Sequence, residues 1–199
     1  MDLDTPHGPA RAHLHPAARP IGALVLGHGA GGGVTAPDLV AVTNAAVARE
    51  ISVALVEQPY RVAGRRSPAA AAQLDAAWTA VVEQLAAGPL AGLALAAGGR
   101  SAGARVACRT AAATGATAVV CLAFPVHPPG RPEKSRLDEL DAVKVPVFVV
   151  QGDRDPFGMP PKRRGRRVLV VEGDHSLGKG VAAYAAAVAD WLVNHLGSS

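Results

Sequence analysis

The sequence predicts an α/β fold, a three-layer αβα sandwich around a mostly parallel sheet of six to seven strands with no cap domain. Three observations lead there. Six short runs of strand-forming residues recur along the chain, with helical stretches between them. Most of these runs are continuously apolar rather than alternating, as strands covered by helices on both faces must be. Of the 199 residues, 49% are hydrophobic and 18% charged, which suits one compact domain over residues 1–199 and leaves no room for a second.

Residues 1–19 read as an N-terminal extension with one edge strand. There Ala10, Ala12 and Leu14 alternate with Arg11, His13 and His15, a half-exposed pattern that fits an antiparallel edge. The six inner strands are Gly22 to Gly27, Ser52 to Glu57, Gly92 to Ala97, Ala118 to Phe124, Pro146 to Gly152 and Arg167 to Glu172. Pro37 and Asp38 open a helix to Glu50, and Ser67 with Pro68 opens an Ala-rich one to Ala87, pairing a capping side chain with proline in the first turn. Further helices follow Ser101, Ser135 and Lys179. The last runs to Leu196 and places Val181, Tyr184, Val188, Trp191, Leu192 and His195 on one stripe for the sheet. The longest irregular stretch, Pro125 to Lys134, is too short for a cap.

The net charge of +4 comes largely from Lys162, Arg163, Arg164, Arg166 and Arg167, a cluster that reads as a solvated loop rather than a nucleic-acid surface. The uncharged stretches Ile21 to Pro37 and Thr110 to Gly130 are too broken by Gly, Pro, Thr and His to span a membrane. The first twenty residues lack the apolar core of a signal peptide. Cys108 and Cys121 each sit in an apolar stretch and read as buried thiols. Together these features point to a cytoplasmic protein with no nucleic-acid or membrane partner, and they say nothing of oligomeric state.

Ligands of such sheets bind beyond the carboxyl ends of the strands. Two motifs stand there. Gly27-His28-Gly29-Ala30-Gly31-Gly32 satisfies G-x-G-x-x-G, with Glu57 placed to hold a ribose hydroxyl, the signature of a dinucleotide site. With 22 glycines in the chain the pattern arises by chance about 0.26 times, and Val34, Thr35 and Ala36 separate it from the helix whose amino end would face a pyrophosphate. Gly99-Arg100-Ser101-Ala102-Gly103 satisfies G-x-S-x-G, which the 7 serines make rarer, about 0.08 by chance. It lies between a strand and a helix, where a nucleophile elbow must lie.

A serine hydroxyl needs a base to take its proton and a third group to orient that base. Asp155 and His175 follow Ser101 in the order Ser, Asp, His, after the fifth and sixth strands. Asp153 is a rival acid, but Asp155 lies further past the strand, before a Pro-Phe-Gly turn that bends it toward His175. Asp174 is read as holding its loop. The backbone N–H groups of Ala30 and Ala102 are the candidate oxyanion donors. His28 and Gly29 shape the loop beside the substrate, while Tyr60, Arg61 and His127 follow the second and fourth strands and line the expected binding rim. With Arg65, Arg66, Arg131 and Lys134 nearby, that rim is basic, and an anionic acyl substrate is one expectation.

These motifs resemble the α/β-hydrolase superfamily, in particular its small lidless branch, similar to dienelactone hydrolases and to the hydrolase-like domain of NSL complex subunit three and testis-expressed protein thirty. The resemblance rests on Gly27 to Gly32, Pro59 to Gly64, Gly99 to Gly103, Phe124 to Gly130, Asp155 to Gly158 and Gly173 to Ser176, and covers nearly the whole chain. It implies the triad Ser101, Asp155 and His175. Dienelactone hydrolases carry cysteine where this chain has Ser101, and the short basic segment Met159 to Arg166 implies a truncated helix before the last strand. The expected activity is hydrolysis of an ester or thioester of a small acyl substrate through an acyl-enzyme, with no metal or organic cofactor. A non-catalytic scaffold of the same fold is the alternative, and a dinucleotide-binding protein the minor one.

Overall fold

The computed structural model describes residues 1–197; Ser198 and Ser199, the last two of the expected domain, lie outside the described residues. The strands are β1 (Asp2–Leu3), β2 (Ala10–His15), β3 (Gly22–Gly27), β4 (Ile51–Glu57), β5 (Leu95–Arg100), β6 (Ala118–Leu122), β7 (Val147–Gly152) and β8 (Arg166–Val171). The helices are α1 (Pro37–Val47), α2 (Pro59–Val62), α3 (Ala71–Ala87), α4 (Ala102–Thr110), α5 (Leu137–Asp141) and α6 (Val181–Leu196). All eight strands form one sheet in the order β1-β2-β4-β3-β5-β6-β7-β8. At one edge β1 pairs antiparallel with β2 and β2 pairs antiparallel with β4; the remaining five pairings are parallel.

Burial follows the residue pattern. Every residue of β3, β6 and β7 is buried, whereas β2 and β8 alternate, as strands at or near an edge do. One face carries α3, α4 and α5, whose Leu74, Trp78, Leu85, Ala107 and Leu140 join Val25, Val56 and Val119 of the sheet. The other carries α1 and α6, whose Leu39, Val42, Tyr184, Val188 and Leu192 join Leu24, Val53 and Phe148. Tyr184, Val188, Trp191 and Leu192 of the expected α6 stripe are buried; Val181 and His195 are half-buried at its margin, His195 stacked on Trp191 with ring centroids 4.1 Å apart.

The differences from the sequence reading have local causes. The sheet has eight strands rather than six or seven because Asp2 and Leu3 pair with Arg11 and Ala10. β5 lies three residues later than expected, since Gly92 turns at φ +76° and the strand runs on through Gly98 and Gly99. Glycine is depleted in strands, so propensity ends the run too early. Here a side chain at Gly98 would meet the Val120 carbonyl at 2.6 Å. β6 stops at Leu122, because Ala123 turns at φ 53°. α3 starts at Ala71 with Ala70 as its N-cap, so Ser67 and Pro68 precede it, in a bend and irregular chain, and α1 ends at Val47 rather than Glu50, which turns at φ 59°. No helix lies between β7 and β8, in line with the short basic segment there. Of that segment Arg166 is buried on Asp141, while Lys162, Arg163, Arg164 and Arg167 are exposed. No helix among the described residues is long and apolar enough to cross a membrane.

Cys108 of α4 and Cys121 of β6 are free thiols, both buried, with their sulfurs 3.5 Å apart. The Cys121 thiol against it and burial together push the Cys108 thiol well up from its ordinary pKa. Neither thiol therefore reacts with a disulfide reagent such as dithiobis(nitrobenzoate) while the protein is folded, and both react in denaturant. Rapid titration of one thiol in native protein contradicts this packing.

Candidate active site

Ser101 stands between the last residue of β5 and the first of α4 at φ 52°, ψ −106°, a backbone conformation that side-chain-bearing residues rarely adopt. Its glycine neighbours make the turn possible. A Cβ at Gly99 would lie 2.5 Å from the Gly27 carbonyl oxygen and 2.7 Å from the Gly103 backbone, and one at Gly103 would fall on the Gly27 and His28 carbonyls. The chain entering and leaving the serine thus packs directly on the end of β3, and the Ser101 N–H donates to the Leu122 carbonyl at 2.9 Å. The hydroxyl is left at the carboxyl edge of the sheet.

His175 reaches the same point from the loop after β8. The Ser101 Oγ and His175 Nε2 are 2.9 Å apart, and His175 Nδ1 and Asp155 Oδ2 are 2.8 Å apart. An ionised carboxylate at Nδ1 requires that nitrogen to carry the proton, so Nε2 is the acceptor facing the hydroxyl. The Asp155 side chain is 1% exposed and has two further donors, the Phe157 N–H and the Gln151 amide, each at 2.8 Å. Phe157 lies edge-on to the His175 ring with centroids 4.3 Å apart. Asp153 accepts the Gly173 N–H at 2.8 Å instead, and Asp174 turns to Ser176.

The Ala30 and Ala102 amides sit beside Ser101 in the same cleft, and neither donates to a backbone or side-chain acceptor among the described residues. Ala102 opens α4, so its N–H has no partner within the helix. The cleft is about 320 Å³ and is walled by residues including Leu74, Arg105, Arg109, Arg136 and Phe157. Among the described residues no group of three or more His, Cys, Asp or Glu gathers to hold a metal ion.

Residues 20–184 match the family described as alpha/beta hydrolase domain. The chain belongs to that family. The hydrolase fold is shared with solved structures of low sequence identity. A lidless α/β serine hydrolase from Xanthomonas campestris, XC6422, superposes with a TM-score of 0.81 at 21% identity over 100% of this chain and 95% of that one. A dienelactone hydrolase from Anabaena variabilis gives 0.77 at 16% identity over 98% and 96%. Est1E from Butyrivibrio proteoclasticus, solved with ferulic acid bound, gives 0.76 at 15% identity over 98% of both chains. No curated protein matches the sequence.

The hydrolase places the remaining expected contacts elsewhere than at the cleft wall. His28 is 3% exposed; its Nδ1 donates to the Gly29 carbonyl at 2.8 Å and its Nε2 accepts the Gln58 N–H at 3.2 Å, so both ring nitrogens are used inside the fold. Gly29 packs over the Arg100 guanidinium. Tyr60 is buried under the loop and its hydroxyl donates to the Ala30 carbonyl at 2.8 Å. Arg61 donates to the Arg65 carbonyl, and His127 lies on the Pro128 carbonyl with its ring near Gly158. Glu57, the ribose-binding candidate, is within 2.9 Å of His13 Nε2. Phe157 was legible only as part of the turn after Asp155, and four residues carried no readable motif: Gln151, Arg105, Arg109 and Arg136. Their positions follow from tertiary contacts that no local pattern announces. Arg100, inside the motif, holds the buried Asp38 carboxylate at 2.9 Å through Nε and donates from Nη2 to the His175 carbonyl at 3.1 Å. Burial pushes the Asp38 carboxyl up from its ordinary pKa, and the Arg100 charge opposes that.

Burial lowers the pKa of His28, outweighing the hydrogen bond to Gly29 that favours the charged form. With the folded value below the unfolded one, the unfolded chain binds more protons between them, so stability is lost as pH falls below about 6.5. The melting temperature should therefore drop between about pH 7.5 and pH 5.5, and His28→Asn should flatten part of that slope. Equal slopes in the two proteins contradict the assignment.

Proposed function

We propose that this α/β hydrolase cleaves an ester or thioester of a small acyl substrate, with Ser101 as nucleophile, His175 as base and Asp155 as the group that orients it. The observation that carries the reading is the continuous hydrogen-bonded line from Ser101 Oγ through the His175 ring to the buried Asp155 carboxylate. His175 Nε2 takes the hydroxyl proton as Ser101 Oγ attacks the carbonyl carbon. The negative charge that develops on the carbonyl oxygen is received by the Ala30 and Ala102 N–H groups, which line the cleft beside Ser101 and donate to no other acceptor among the described residues. His175 then gives its proton to the leaving alcohol or thiol, an ester joins the acyl group to Ser101, and water activated by the same histidine releases the acid. Asp155 stays ionised throughout and stabilises the imidazolium. The open cleft, walled by α3, α4 and the neighbouring loops, suits short or end-exposed acyl groups.

A fluorophosphonate probe should label Ser101 stoichiometrically in the native protein, read by intact mass and peptide mapping, and His175→Ala should abolish the labelling. Ser101→Ala should lower hydrolysis of a p-nitrophenyl ester by about 10⁴-fold or more, because the triad acts as a unit. A folded protein that is neither labelled nor slowed by the substitution overturns the reading in favour of a non-catalytic scaffold.

A further inference from the structure

We infer that the cleft over Ser101 takes an ester bearing a carboxylate, and that Arg136 is the residue that binds this second charge. The position of the scissile bond rests on the serine-hydrolase reading; the anion site rests on side chains of its own. Arg105, Arg109 and Arg136 line the same cleft as Ser101 and Ala102. Arg105 and Arg109 lie one turn apart on α4 and are fully engaged. Arg105 holds Glu139 with Nε at 2.8 Å and Nη2 at 2.5 Å. Arg109 holds Asp75 with Nη2 at 2.6 Å and Nε at 2.8 Å, and reaches Glu139 at 3.2 Å. Arg136 has no counterpart of this kind. Among the described residues no carboxylate lies within ion-pair distance of its guanidinium, and its side chain makes no hydrogen bond.

Arg136 is not a loose surface arginine. It is half-buried, it caps the N-terminus of α5, and its own N–H is pinned to the Val126 carbonyl at 2.7 Å, which fixes the backbone at the cleft wall. Burial, followed by the Arg105 guanidinium, pushes its pKa down from the ordinary arginine range; the Glu139 carboxylate opposes this but is hydrogen-bonded to Arg105 and Arg109. Three guanidinium groups face two carboxylates, leaving one positive charge in a cleft otherwise walled largely by side chains such as Ala71, Leu74 and Phe157. One carboxylate balances that charge and matches the paired N–H groups of a guanidinium, whereas a doubly charged phosphate would leave the cleft negative. The basic residues expected at the rim from sequence play no part here: Arg61 and Arg65 are tied to each other beyond the cleft.

The test compares substrates that differ only in the second charge. Mono-p-nitrophenyl glutarate is paired with p-nitrophenyl pentanoate for a carboxylate on the acyl side, and 4-acetoxybenzoate with 4-methylphenyl acetate for one on the leaving group. In at least one pair, Arg136→Met should lower the ratio of kcat/KM for the anionic over the neutral ester by about tenfold or more, chiefly through KM, and Arg136→Lys should keep part of it. Ratios equal in wild type and Arg136→Met for both pairs overturn the anion site while leaving the hydrolase intact. If no ester is turned over and Ser101 resists the fluorophosphonate, the hydrolase reading fails instead. Equilibrium dialysis of glutarate then decides the anion site alone: saturable binding lost in Arg136→Met supports it, and no binding by the wild type overturns it.

Discussion

The structure depends on how closely the backbone around Ser101 approaches the end of β3. A serine at φ 52° costs about 1–3 kcal/mol relative to a relaxed turn, and such strain persists only where the surroundings leave the chain no alternative. Gly99 and Gly103 remove the two side chains that would keep β5 and α4 away from the Gly27 carbonyl, so strand, turn and helix close on β3 with nothing between them. That closure aims the hydroxyl out of the sheet and leaves the first N–H of α4 free beside it. The nucleophile and one of the oxyanion donors we propose would therefore both be products of a single packing contact.

The other groups are brought to this point by buried polar side chains rather than by loop length. Tyr60 donates to the Ala30 carbonyl, which holds the loop carrying the proposed second donor. Gln151, wholly buried in β7, spreads its amide over the Phe124 and Gly158 carbonyls and the Asp155 carboxylate, fixing the acid by way of the strand itself. Arg100 ties α1 to the histidine loop through Asp38 and the His175 carbonyl. Each link crosses between elements distant in sequence, so the reacting line is held by the fold as a whole. Preorganisation of this kind lets dipoles already in place meet the developing charge.

Much of this was legible in the residues. Continuous apolar strands, the G-x-S-x-G turn and the order of Ser101, Asp155 and His175 carry the sheet and the line of three groups, because strands buried on both faces and a nucleophile elbow each leave a local mark. Asp155 could be separated from Asp153 by its extra two residues beyond β7, which the structure uses to reach the histidine while Asp153 turns back to Gly173. What stayed hidden was whatever depends on tertiary contact. Tyr60 reads as a rim residue because it follows a strand end, yet its hydroxyl is spent inside the fold, whereas His28, read as shaping its loop, uses both ring nitrogens there. Arg105, Arg109 and Arg136 leave no mark in the sequence pattern, and only the packing of α4 against α3 and α5 shows which of them is left without an ion pair. The end of β5 lies later than propensity suggests for the opposite reason: Gly98 and Gly99, poor strand formers, are kept because neighbouring backbone occupies the space of their side chains.

The most direct measurement is a crystal structure of the protein after reaction with a small alkyl fluorophosphonate. The account predicts phosphorus bonded to Ser101 Oγ, with the phosphonyl oxygen about 2.7–3.1 Å from both the Ala30 and Ala102 nitrogens and His175 still on Asp155. An adduct on another residue, or a phosphonyl oxygen turned to solvent away from both amides, would contradict it.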